Sequence, residues 1–335
     1  MALPAKTPPD LDELLAGLRV VSIPMRVRFR GVDHREAALL HGPAGWGEFS
    51  PFLEYPPLEA SRWLAAAIES AWDGWPPPVR DRVPVNATVP AVGAEDVAGV
   101  LARYDGCTTA KVKVGERGQT LRDDVCRVAA VRDVMGPQAR VRVDANGGWS
   151  VDQAADALGA LTAYGLEYVE QPCATVEELK ELRIALARKG IDVLVAADES
   201  IRKAEDPIRV AREGAADIIV VKVAPLGGVR AALAIAKGCG LPTVVSSALD
   251  TSVGIAAGVA LAAALPDLPH ACGLGTVELL AGDVTQPSLV PISGSIAVGP
   301  AAVEESLVQE HAASEERTQC WRDRVTECHR LLEDG

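Results

Sequence analysis

Apolar residues recur along this chain in two alternating rhythms. From Val83 onward, short runs rich in β-branched residues, such as AKVKV, RVRVD, EYVE and IIVVK, alternate with Ala/Leu/Arg stretches whose apolar positions return at helical spacing. A period of two followed by a period of 3.6 marks wound βα units, which close into a parallel barrel when enough of them follow one another. The pattern predicts barrel strands at VPVNATV (83–89), TAKVKV, RVRVDAN, LEYVEQP, DVLVAADES, DIIVVKV and PTVVSSAL, with a short eighth near 271–274. Helices are predicted over 121–134, 151–164, 176–189, 208–213, 229–239 and 252–265. An open doubly wound sheet is the alternative, and the number of units favours the barrel.

The segment before the barrel reads differently. Residues 17–55 alternate in the manner of antiparallel strands with a turn at His41–Gly45, and 58–75 has helical spacing that stops at Pro76-Pro77-Pro78. We therefore expect an α+β capping domain over 1–80, a barrel over 81–276, and a tail, 277–335, that folds back on the cap. A flexible loop closing over substrate is expected between the first two strands, around Ser22–Arg30.

Five charged residues end successive strand runs: Lys113, Asp144, Glu170, Asp198 and Lys222, at intervals of 31, 26, 28 and 24 residues. Each interval fits one strand, one helix and two short loops. The C-terminal rim of a parallel barrel carries its chemistry, so these groups should converge on one mouth. A lone carboxylate at a strand end is ordinarily a helix cap or an ion-pair partner. Three facing one another would raise each other's pKa unless a cation neutralised them, so Asp144, Glu170 and Asp198 predict a divalent ion. Oxygen-only ligation favours Mg²⁺, with Mn²⁺ also suited, over zinc, which recruits His or Cys.

Lys111 and Lys113 stand two apart on one strand and so share its inward face. Crowded, partly desolvated ammonium groups lower the pKa of at least one of them, the condition for a lysine general base. Lys222 approaches from the sixth strand, across the barrel. A cation gripping a substrate carboxylate between two amines suits removal of a proton α to that carboxylate, because the resulting enediolate gains charge on oxygen that preplaced cations stabilise.

Composition narrows the partners. The chain has 335 residues, 48% of them hydrophobic, enough for a barrel and an accessory domain. A formal net charge of −13 without a basic run argues against nucleic acid and anionic membrane surfaces and leaves a small molecule as the expected ligand, a carboxylate by the chemistry of the strand ends. The N-terminus lacks a signal-peptide pattern, pointing to the cytoplasm, and the apolar stretch 253–265 is too short to cross a membrane. The seven cysteines are scattered without a CxxC pair, so reduced thiols are expected, and Cys328-His329 with His311 and Cys320 matches no metal template. The sequence leaves the oligomeric state open, a monomer included.

The KxK of AKVKVG, RVDANGGW, EQP, ADES and VVKVAPLGG fall in the order and spacing of a known family. The chain resembles the muconate-lactonizing subgroup of the enolase superfamily, whose members combine a capping domain with a modified TIM barrel, (β/α)₇β. That family uses a Lys or His base and Mg²⁺ to stabilise an enediolate. MRVRFRG, GWGEFSPF, Arg142 before VDANGGW, and SSALDTSVG extend the resemblance to the o-succinylbenzoate synthase branch, which serves menaquinone biosynthesis.

The resemblance implies syn-dehydration of 2-succinyl-6-hydroxy-2,4-cyclohexadiene-1-carboxylate to 2-succinylbenzoate. Lys113 would be the acid/base, Lys222 the opposed cation, and Asp144, Glu170 and Asp198 the Mg²⁺ ligands. Ser246 and Ser247 would offer backbone N–H groups to the succinyl carboxylate. Arg142 and Asn146 would support the site, Lys111 would neutralise the carboxylates, and Glu199 would pair with Lys222 or Lys111. Gln171 and Val223 depart from the family pattern, where Glu and Pro are common. Two alternatives stay open: an N-acylamino acid or dipeptide racemase on the same scaffold, and a catalytically silent barrel that binds a partner.

Overall fold

The computed structural model describes residues 8–29, 31–203 and 206–334. After a short helix α1 (Leu11–Ala16), three antiparallel strands, β1 (Arg19–Phe29), β2 (Val32–Gly42) and β3 (Gly45–Phe49), form a sheet in that order. Alternation decides which face each side chain takes. Val21, Ile23, Ala37 and Leu39 pack on Val253 and Leu280 of the barrel side, while Val20, Ala38, Leu40 and Phe49 pack on Trp63 and Leu64. Those two residues belong to α2 (Pro57–Ile68), which starts with Pro57, a residue preset for a first helical turn, and continues through a π turn at Glu69–Asp73. The segment expected to be a flexible loop is β1 itself as far as Phe29, paired with β2 up to Pro24 and again at Phe29, with an irregular register between them and Met25 bridging Leu280. Arg30 lies outside the described residues.

The predicted first barrel strand divides in two. β4 (Arg82–Pro84) leaves the barrel to pair elsewhere, and β5 (Ala87–Val89) is the first true stave. There follow α3 (Val97–Leu101), β6 (Thr109–Lys113), α4 (Leu121–Met135), β7 (Arg140–Asp144), α5 (Val151–Leu161), β8 (Leu166–Glu170) and α6 (Val176–Lys189). The winding continues with β9 (Leu194–Ala197), α7 (Glu199–Arg202), α8 (Arg209–Arg212), β10 (Ile218–Val221), α9 (Val229–Cys239), β11 (Thr243–Val245) and α10 (Ser252–Ala264). The parallel ladder runs in sequence order from β5 to β11. It closes through Cys272 and Gly273, which bridge to Val85 on one side and Ser246 on the other. The architecture is the modified TIM barrel with an α+β cap that the resemblance implied.

Period two sorts the barrel side chains. Val112, Val143, Val169, Val195, Ile219 and Val221 face the helices, whereas Tyr168, Ala196, Ile218, Val220 and Val244 fill the interior. Thr120, Ser150 and Thr175 each close a capping box, which fixes where α4, α5 and α6 begin.

The tail returns as β12 (Ser295–Ala297), paired with β4, then α11 (Glu305–Glu310) and α12 (Glu315–Glu333). Trp321 of α12 meets Phe49 edge-on at 5.7 Å, and Arg317 pairs with Glu36 at 2.6 Å, so the last helix shares the cap's core. Cap carboxylates also cap barrel helices. Glu48 accepts from the N–H groups of Thr251 (3.0 Å) and Gly254 (3.0 Å) at the start of α10, and Glu69 accepts from Val229 and Arg230 at the start of α9. No helix among the described residues is long and apolar enough to cross a membrane.

Candidate active site

Inward-facing positions at the C-terminal ends of β6 to β10 bring the five predicted charges together. Lys113 pairs with Asp144 Oδ2 at 2.5 Å, Lys111 bridges Asp144 Oδ2 (3.2 Å) and Glu170 Oε1 (3.0 Å), and Lys222 pairs with Asp198 Oδ2 at 2.5 Å. Lys113 and Lys222 lie four staves apart in the ladder, hence on opposite walls of an eight-stave barrel. Lys113 is anchored from behind by Arg127 of α4, a buried residue that donates to the Lys113 carbonyl at 2.8 Å. Asn146, in the left-handed region at φ 48°, donates its backbone N–H to Asp144 Oδ1 and accepts from Lys113 through its side chain. The amines stand between the acids, so no three metal-ligating side chains among the described residues already converge as a cation site.

Burial and charge pull the members of this cluster apart. Burial lowers the Lys113 pKa, Asp144 opposes the shift, and the neighbouring Lys111 adds to it. Burial would lower Lys111 as well, yet the charges of Glu170 and Asp144 outweigh it and hold that amine above its usual range. Asp144 resists its own burial because two lysines flank it, and it stays well below the ordinary carboxylate value. Asp198 is likewise opposed by burial and brought to about 2 by Lys222 and Arg202. Glu170 goes the other way, pushed up to about 7 by burial and by Asp144, with Lys111 only partly compensating. Two amines of one strand thus differ in proton affinity, and the lower one is Lys113.

Several predicted partners sit elsewhere. Arg142 lies one layer below the mouth, in register with Lys111, and is spent on Glu167 (2.6 Å), the Tyr168 hydroxyl (2.9 Å) and the Ala271 carbonyl (2.8 Å). It plugs the barrel and does not reach the mouth. The backbone N–H groups of Ser246 and Ser247 donate to the carbonyls of Val221 and Gly273, closing the barrel, so neither is free for a substrate anion. The Ser246 side chain lines a cavity of about 20 Å³ with Lys222, Ser70, Glu48 and Asp250. Glu199 pairs with Arg202 at 2.6 Å and accepts from Asn146 at 3.3 Å, and not from either lysine, because it begins α7 and Arg202 lies one turn further on.

Comparison with known proteins decides the family. The enolase C-terminal domain-like model matches residues 94–302 and the enolase N-terminal domain-like model matches residues 20–71. The chain belongs to the enolase superfamily. It is 60% identical over 325 residues to an o-succinylbenzoate synthase of Mycolicibacterium smegmatis, covering 97% of this chain and 98% of that one. An o-succinylbenzoate synthase of Thermobifida fusca is 59% identical over 292 residues, 87% of this chain and 90% of that one. Among solved structures, 2-chloromuconate cycloisomerase from Rhodococcus opacus 1CP superposes with a TM-score of 0.74 at 23% identity, over 89% of this chain and 98% of that one. A dipeptide epimerase from Enterococcus faecalis V583 reaches 0.70 at 21% identity, over 85% and 97%. These structures share the fold.

Two further residues hold the mouth of the barrel. Gln171, at φ 39°, accepts from the N–H groups of Asp198 (2.9 Å) and Ser200 (3.1 Å) and donates to the Cys173 carbonyl (2.9 Å), tying the end of β8 to that of β9. Phe29, from the cap, places its ring 5.3 Å from the Lys113 amine. Phe29 carries no sequence signal beyond its place on a hairpin, and Gln171 shows only as a departure from the family pattern beside a charged strand end. The donor set suits a hard cation. Its acids are oxygen ligands only, the Lys111 ammonium already bridges two of them as a positive charge would, and Glu199 Oε2 is buried with no hydrogen-bond partner.

Proposed function

We propose that this enzyme is an o-succinylbenzoate synthase that dehydrates 2-succinyl-6-hydroxy-2,4-cyclohexadiene-1-carboxylate to 2-succinylbenzoate. The identity of 57–60% to several proteins of that name over most of the chain supports the reaction. The residue assignment rests on the pair of opposed amines, Lys113 and Lys222, flanking a line of buried carboxylates. Lys113 Nζ, whose pKa burial lowers, takes the proton α to the substrate carboxylate. The same amine then returns a proton to the departing hydroxyl on the same face, which leaves as water as the ring becomes aromatic. Lys222 stabilises the enediolate from the opposite wall.

Asp144, Glu170 and Asp198 would hold Mg²⁺, with Lys111 and Asn146 orienting Asp144 and Glu170. When bound, the ion supplies Lewis-acid stabilisation of negative charge on the substrate carboxylate. The division into a cap of residues 1–80 and 277–335 and a barrel of 81–276 belongs to this reading, as do the cytoplasm as its compartment and a role in menaquinone biosynthesis. A silent scaffold does not fit relatives that are enzymes by name. N-acylamino acid racemisation would use the same two amines, and an exchange assay separates the readings. Incubation with N-succinyl amino acids in D₂O should give no racemisation that outpaces dehydration; fast racemisation without aromatic product would overturn the assignment.

A further inference from the structure

Asp198 is gripped on both oxygens. Lys222 takes Oδ2, and the guanidinium of Arg202, one helical turn further on, donates Nε–H to Oδ1 at 3.2 Å. The remaining fork of Arg202 reaches Glu199 at 2.6 Å through Nη2 and the Tyr55 hydroxyl at 3.1 Å through Nη1. Arg202 is 3% exposed, so this charge is desolvated and its direction is set by its partners. Tyr55 is a cap residue. Its ring packs on Phe52 and Trp63, its carbonyl accepts from Arg324 of α12 at 2.8 Å, and Lys203 lies 5.0 Å over its face. A single side chain therefore joins the carboxylate at the end of β9 to the two elements that build the cap.

From this juxtaposition we infer that Arg202, held by Tyr55, is a positioning residue that couples docking of the cap to the orientation of Asp198 for cation binding. The inference rests on the reading of Asp198 as a Mg²⁺ ligand. In that role a carboxylate needs its plane fixed and one oxygen turned toward the cation. Arg202 fixes Oδ1 through a charge-assisted bond, leaving Oδ2 to be shared between Lys222 and a cation. Tyr55 matters because its hydroxyl is the contact through which the cap, in addition to Asp198 and Glu199 of the same turn, holds the guanidinium. When the cap shifts, the Tyr55 hydroxyl leaves Arg202, the guanidinium is free to turn toward Glu199 alone, and Asp198 loses its orientation. Substrate closure under the cap and cation affinity are then linked.

The test is Mg²⁺ titration by calorimetry on the full chain, with the melting temperature of each metal-free variant measured alongside. Arg202→Met should weaken Mg²⁺ binding roughly 10- to 100-fold, as expected for loss of a group that orients a ligand. Tyr55→Phe, which removes one hydroxyl, should weaken it about fivefold. Adding Tyr55→Phe to Arg202→Met should cause no further loss, since the hydroxyl acts through the guanidinium. Arg202→Lys should recover part of the affinity lost in Arg202→Met and be insensitive to Tyr55→Phe. Melting temperatures that fall while Mg²⁺ affinity stays within twofold of wild type would reduce the cluster to a structural clasp and overturn the inference. Wild-type protein that binds no Mg²⁺, or binds it equally with Asp198→Ala, would instead overturn the cation reading and this inference with it.

Discussion

At the scale of single residues, the division of labour between Lys111 and Lys113 follows from which acids each one touches. Lys111 sits between Glu170 and Asp144 and is held protonated, whereas Lys113 meets one of them and feels Lys111 as a like charge. Lys113→Ala should therefore lower kcat by about 10²- to 10⁴-fold or more. Mg²⁺ should still bind and the far-ultraviolet circular dichroism should be unchanged; retention of full activity would remove Lys113 as the base. The charged strand ends were legible in the sequence because strand periodicity places them, with no need to know what lies opposite. Arg202 and Tyr55 were not, and Gln171 stood out only as a departure from the family pattern, since their roles depend on contacts up to 147 positions apart that no local pattern encodes. The resemblance places Ser246 and Ser247 at the substrate, but the Ser246 N–H donates to Val221 of β10 and the Ser247 N–H to Gly273 at the barrel closure.

At the scale of elements, the close approach of β3 to α2 is set by Gly47, where an added Cβ would stand 2.0 Å from the Ala67 carbonyl oxygen. Gly47→Ala should cost about 2–3 kcal/mol, measured as a shift of the urea midpoint at constant m-value. Glu48, next along the strand, joins the cap to α10. Burial and the nearby Asp250 charge push its pKa from the ordinary 4.5 up to about 7, outweighing donors from Thr251 and Ser50. The folded state thus keeps this proton longer than the unfolded chain. The stability contributed here is full below the unfolded value and is lost as pH rises through the folded one. Glu48→Gln, which mimics the protonated acid, should gain melting temperature relative to wild type as pH goes from about 5 to about 8. A difference that is constant with pH would show that Glu48 does not titrate in that window. Helices α6 and α9 matched their sequence-read bounds because Thr175 and the Gly190 and Gly240 stops are local signals. The first barrel strand split because β4 finds a partner, β12, more than 200 residues away.

At the scale of the molecule, the barrel and cap are joined by charged groups: Glu48 and Glu69 at helix starts, and Arg202, which also grips Asp198, at Tyr55. A cation bound by acids of three successive staves should stabilise the whole, by about 2.7 kcal/mol at a hundredfold excess over Kd. Calorimetric scans with and without Mg²⁺ should show a matching rise in melting temperature that EDTA reverses, and no rise would place the cation elsewhere or nowhere. Fold class was readable from the alternation of periods, whereas the tail leaves that alternation, and its α12 buries Trp321 and Val325 beside cap residues through contacts that no local pattern encodes. The most direct measurement is incubation of the purified protein with 2-succinyl-6-hydroxy-2,4-cyclohexadiene-1-carboxylate and Mg²⁺ while following aromatic absorbance. 2-Succinylbenzoate should form in the presence of Mg²⁺, and none above the uncatalysed rate with EDTA or with Lys113→Ala. Absence of product with Mg²⁺, or product formation indifferent to EDTA, would contradict the proposed reaction.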